Sequence, residues 1–173
     1  MRYGLLPSGS LSVLAALLLA ACAVSAPPGA GVSMPATAEV LPADARALRY
    51  GATAPDVFDN PQLRESLHGL FGADWTAGEG REFGAPAFFP PSAPIRMVRI
   101  GDREYIAISG CVTTACARYQ GLLLIGQDGR LLARLDDGGF SHYYEYGPGA
   151  TAGVQARMTV DGAWRAIEEV ARG

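Results

Sequence analysis

Cys111-Val112-Thr113-Thr114-Ala115-Cys116 sets two thiols at the ends of a short segment with four residues between them. Three chemistries are open to such a pair: a disulfide closing a small loop, two free thiols, or half of a metal site. A metal site needs further ligands, and only His68 and His142 are on offer, with no ligand spacing that pairs them. In an exported chain the disulfide is the expected state, because oxidising compartments preserve it. Closing so short a loop contributes about 2 kcal/mol in the chain-entropy model. A loop stiffened in this way suits recognition, since its ordering entropy is lost on folding rather than on binding.

The remaining reactive residue types offer little. Ser141 and His142 are adjacent on a segment that reads as a strand, so they face opposite ways and cannot form a nucleophile–base pair. Asp136 and Asp137 precede two glycines and read as turn residues. His68 reads as a surface or partly packed histidine beside a helical stripe. No nucleophile elbow, phosphate loop or paired metal ligands appear, so no enzyme activity, cofactor or metal is expected.

Export itself is read from the N-terminus. Arg2 supplies a short positive region, and Leu11–Ala21 is an apolar run too short to span a bilayer. It leads into Leu19-Ala20-Ala21-Cys22, which resembles a bacterial lipobox. That resemblance implies cleavage before Cys22, acylation of its thiol, and firm membrane anchoring through the acyl chains. Ala23, where an aspartate would favour inner-membrane retention, points to the outer membrane on its periplasmic side. The remaining chain carries 13 arginines against 17 acidic residues, a net charge near −4, and no lysine. With no basic patch, nucleic acid is not an expected partner.

The elements that must position the cysteine loop follow from hydropathy. Residues 22–55 are rich in Ala, Pro and Gly and read as the lipidated cysteine plus a tether, with the later part able to dock on the domain that follows, 56–173. A helix is predicted over 61–71, with Asn60 as N-cap, Pro61 at N1, an apolar stripe of Leu63, Leu67, Leu70 and Phe71, and Gly72 at its end. Residues 73–94 read as a loop packing Trp75, Phe83, Phe88 and Phe89 on the domain edge. Strands are predicted at 95–100, 104–110, 118–125, 130–135 and 140–146, with turns at Gly101-Asp102, Asp128-Gly129 and Asp137-Gly138-Gly139. Leu122-Leu123-Leu124-Ile125 is apolar on both faces, as in a central strand covered on both sides. Phe140, His142, Tyr144 and Tyr146 fall on one face of the last strand, whose tyrosines, Tyr143, Tyr144 and Tyr146, either pack on a helix or offer a second contact surface. Residues 150–160 fit strand or helix, and Asp161 is placed to cap a helix over about 162–171, with Trp164, Ile167 and Ala171 on one side. The expected class is α+β: an antiparallel meander of about five strands flanked by helices.

The stretch from Val98 to Leu135 resembles the inhibitor of vertebrate lysozyme family, Ivy. The resemblance is carried by the hairpin Val98-Arg99-Ile100-Gly101-Asp102-Arg103-Glu104-Tyr105, by Ser109-Gly110-Cys111 through Cys116, and by the apolar strand 121–125. Leu67-His68-Gly69-Leu70-Phe71-Gly72 and Tyr144-Glu145-Tyr146-Gly147 extend it to roughly 60–150. It implies a periplasmic protein whose disulfide-closed loop enters the substrate cleft of a lysozyme or related muramidase, with homodimers known among members. The loop departs from the family pattern Cys-Lys-Pro-His-Asp-Cys: Val112, Thr113, Thr114 and Ala115 replace its four inner residues. Thr114 offers a neutral hydroxyl where the family histidine can make a charge-assisted bond, roughly twice as strong. Two functions are therefore carried forward: a muramidase inhibitor acting through Val112, Thr113, Thr114 and Ala115, and a non-inhibitory envelope lipoprotein that uses the same fold to bind another envelope protein.

Overall fold

The computed structural model describes residues 37–78, 80–150 and 153–173. The signal segment, Cys22 and the first part of the expected tether lie outside them. Six antiparallel strands form one open sheet in strict sequence order: β1 Ala38–Val40, β2 Ile95–Ile100, β3 Arg103–Cys111, β4 Tyr119–Gly126, β5 Leu131–Asp137 and β6 Phe140–Tyr146. The meander and the α+β class are as the hydropathy pattern predicts. The additional strand, β1, falls inside the stretch expected to be tether.

That stretch is structured from Ala38 onward. Val40 pairs with Val98 and Ala38 with Ile100, so three residues suffice to extend the sheet. Asp44 then caps a single 3-10 turn, Ala45–Leu48, whose Arg46 reaches Glu104 at 2.6 Å. Helix α1, Ala54–Asp59, starts with a reciprocal cap: the Asp56 amide donates to the Thr53 hydroxyl, and the Thr53 amide donates to the Asp56 carboxylate. Pro55 sits in its first turn, where a missing N–H costs nothing. Proline here marks the start of a helix, not a linker.

Helix α2, Arg64–Phe71, begins three residues later than predicted. Asn60 does initiate it: its side chain accepts from the Gln62 amide at 2.9 Å, and its carbonyl accepts from the Leu63 and Arg64 amides. The intervening turn is not regular α-helix because Asn60 also closes α1 and donates its side-chain amide to the Tyr50 carbonyl at 2.8 Å. Leu63, Leu67, Leu70 and Phe71 are all buried, and Gly72, with φ 52°, terminates the helix.

The connection from β1 to β2 covers one face of the sheet and helix α3, Val154–Arg172, covers the other. β4 is buried on both sides: Leu123 and Ile125 join the core with α1 and α2, and Leu122 and Leu124 join the core with α3. α3 resolves the strand-or-helix alternative at 150–160 as helix from Val154. Ala156, Val160, Ala163 and Ile167 form its buried stripe at helical spacing. Asp161 is therefore mid-helix and caps nothing. Its carboxylate instead accepts from Arg134 Nη1 at 3.0 Å and from the Tyr143 hydroxyl at 2.7 Å. Among the described residues no helix is long and apolar enough to cross a membrane.

Candidate functional site

The two central strands, β3 and β4, are joined at one end of the sheet by the cysteine loop. Cys111 and Cys116 form a disulfide with Cα atoms 4.8 Å apart, an ordinary span for this bond. Backbone bonds reinforce it. The Val112 amide donates to the Tyr119 carbonyl at 3.0 Å, the Ala115 amide to Val112, and the Arg118 and Tyr119 amides to Ala115. The Gln120 side chain donates to the Cys116 carbonyl at 3.2 Å.

These bonds sort the four inner residues into two kinds. Val112 is 6% exposed and belongs to the core, and Ala115 packs against that core. Thr113 and Thr114 are exposed. Of the four inner residues, Thr113 and Thr114 turn their side chains to solvent, while Val112 turns inward. The reason is the period of two: Ile106, Ile108, Gly110 and Val112 share the α2-side face of β3, so the residue after Cys111 points inward.

Two glycines that face each other across β3 and β4 set the floor under the loop. A Cβ at Gly110 would stand 2.6 Å from the Phe88 carbonyl oxygen, and one at Gly121 would stand 2.9 Å from both Phe88 Cβ and Phe89 Cζ. The segment around the 3-10 turn Ala85–Phe88 crosses the sheet at this pair. Isolated glycines inside strand patterns signal such close approach, and this signal was present in the sequence.

Beside the loop runs a chain of polar contacts. His142 Nε2 lies 3.0 Å from Asp137, Arg81 lies 3.8 Å from Asp137 and 3.2 Å from Asp74, and the Tyr144 hydroxyl donates to Asp74 at 2.8 Å. Burial, then the Asp74 bond, push the Tyr144 phenol well above its usual range. The chain fastens Asp74 and Arg81 to the sheet. Among the described residues no serine, threonine or cysteine hydrogen-bonds to His142, and Ser141 lies on the opposite face of β6. Asp136 and Asp137 are the last residues of β5, not turn residues: Asp136 takes two bonds of 2.8 Å from Arg134, and Gly138-Gly139 make the turn at φ 63° and 119°. His68 stacks on Trp75 with ring centroids 3.7 Å apart. Tyr143 packs toward α3 and Tyr144 toward α2, and the Tyr146 ring lies over Gly69, so the tyrosines mainly pack. Among the described residues no group of metal-ligating side chains occurs.

Two exposed residues at this end were not singled out by sequence reasoning. Phe140 is 75% exposed, and Arg118 lies over the Tyr119 ring at 5.4 Å. On the α3 side of the disulfide, Arg96, Gln120, Trp164, Ile167 and Glu168 line a groove of about 370 Å³. Comparison of the chain with protein-family models, with curated proteins and with solved structures gives no match.

Proposed function

We propose that this protein is a lipid-anchored protein of the bacterial envelope, attached through Cys22, that binds a lysozyme or related muramidase and blocks it with the loop 111–116. The reading rests on the Ivy-like segments and is supported by one observation above others: the loop is covalently closed, bonded to the start of β4, and presents two exposed hydroxyls at the end of a rigid sheet. A finger already ordered before contact loses little entropy on entering a cleft. Muramidase clefts carry a pair of carboxyl groups flanking the scissile bond, and threonine hydroxyls can donate to them. The proposed role is stoichiometric inhibition without catalysis, cofactor or nucleic acid. Titrating the soluble mature domain against several classes of lysozyme should abolish activity of at least one at micromolar concentration. Full activity of every class at that concentration would sink the proposal.

A second reading has its own observation. Val112 is buried and Thr113 and Thr114 are uncharged, so the loop itself carries no cation for a catalytic carboxylate. On this reading the protein binds another envelope protein without inhibiting a muramidase. Capture experiments comparing the wild type with Cys111→Ala separate surfaces that include the loop from those that do not.

A further inference from the structure

The loop is not alone at its end of the sheet. The Gly138 amide donates to the Arg118 carbonyl at 3.0 Å, which ties the β5–β6 turn to the residues that follow Cys116. The Arg118 guanidinium also covers that turn: a Cβ at Gly138 would stand 3.2 Å from its Nη2. Phe140 leaves the same turn with three quarters of its surface in water. Thr113, Thr114, Arg118 and Phe140 thus lie on two linked loops at one end of the molecule.

The charges here are unevenly satisfied. Asp137 is taken by His142 and Arg81, and Glu82 accepts from the Tyr119 hydroxyl at 2.9 Å. Arg118 has no carboxylate partner among the described residues. Its guanidinium is held over an aromatic ring, which orders it without neutralising it. An exposed phenylalanine near an arginine that has no carboxylate partner among the described residues matches the composition of interface anchors, where aromatic residues and arginine dominate.

We propose that Arg118 and Phe140 complete the inhibitory surface: Arg118 supplies the cation that the loop lacks, directed at the carboxyl-bearing cleft of a glycoside hydrolase, and Phe140 anchors on its rim. This inference rests on the muramidase reading and specifies the partner chemistry: an acidic, sugar-binding cleft with an apolar edge. Arg118 is suited to the purpose because a guanidinium bonds a carboxylate with two parallel donors.

The test compares wild type, Arg118→Gln, Arg118→Lys and Phe140→Ser, all as the full mature domain, against whichever lysozyme the wild type inhibits. Both Arg118→Gln and Phe140→Ser should raise the inhibition constant by roughly tenfold or more, with unchanged melting temperatures because both side chains are exposed. Arg118→Gln should also flatten the dependence of binding on salt, and Arg118→Lys should restore that dependence while recovering only part of the affinity. Wild-type inhibition matched by both variants would overturn the composite surface while leaving the loop reading intact. A wild type that binds no lysozyme overturns both.

Discussion

Thr114 stands at the loop tip with its side chain in solvent, so a larger side chain there meets no core neighbour. Thr114→His should therefore be accommodated, and it restores a group able to donate from a charged ring. On a vertebrate-type lysozyme the inhibition constant should fall by roughly tenfold, the worth of one charge-assisted bond. The gain should grow as pH falls through about 6.5, where the ring becomes charged. An unchanged constant at pH 5.5 would mean that the loop backbone follows a different path into the cleft. The glycines under the loop make the opposite case. Gly121→Ala places a methyl group against Phe88, Phe89 and Leu135. Overpacking of this kind costs about 1–3 kcal/mol, readable as a lowered midpoint of urea unfolding.

Between strands and helices, side chains with two or more partners hold the layers together. Arg134 bonds Asp136 on its own strand and Asp161 on α3, and its guanidinium sits 4.4 Å from the Trp164 ring. Arg134→Leu leaves two half-buried carboxylates without their cation, so a loss of about 2 kcal/mol is expected, with α3 amides gaining exchange first. Glu104 plays the corresponding part for the 3-10 turn at Ala45–Leu48. Bonds from Arg99 and Arg46 hold its carboxyl below the usual glutamate range. The folded state therefore binds this proton less readily than the unfolded chain. The contribution is present above pH about 4.3 and is lost as pH falls through the lowered folded value. Amides of residues 45–48 should lose protection in acid before those of β3 and β4 do. The legibility of these elements in the sequence varied with what stabilises them. β2 and β6 were readable to the residue, since Pro94 and Gly101 bracket Ile95–Ile100 and Gly139 and Gly147 bracket Phe140–Tyr146. β1 was not, because three residues carry no period and Ala38 and Val40 acquire their role only by pairing with Ile100 and Val98. The start of α3 was obscured by Asp161-Gly162, which mimics a cap in sequence while Asp161 serves Arg134 and Tyr143 in three dimensions. In the candidate site, the pairing of Cys111 with Cys116 was legible. The burial of Val112 and the exposure of Arg118 and Phe140 depend on neighbours brought in from β5 and the segment before β2.

At the scale of the whole molecule, position along β3 decides what the loop can reach. The Thr37 carbonyl accepts from the Gly101 amide at 3.1 Å, so the chain joins the sheet at the β2–β3 turn. The cysteine loop lies at the other end of the nine-residue β3, eight residues on, about 26 Å at the usual rise per strand residue. The α3 C-terminus lies at the loop end, where Ile167, Glu168 and Ala171 flank the disulfide, whereas Gln155 and Thr159 lie by Gly101. A protein held from residues before Thr37, as the proposed anchoring at Cys22 requires, would therefore present the loop away from its attachment. One held from Gly173 would turn the loop toward it. Coupling the mature domain to beads or vesicles through an N-terminal tag should leave inhibition of a responsive lysozyme within about twofold of the free domain. Coupling through the C-terminus should weaken it by roughly tenfold or more, because the bulky enzyme must approach against the support. Equal inhibition from both attachments would show that the inhibitory surface is not at the loop end, whatever the state of the disulfide.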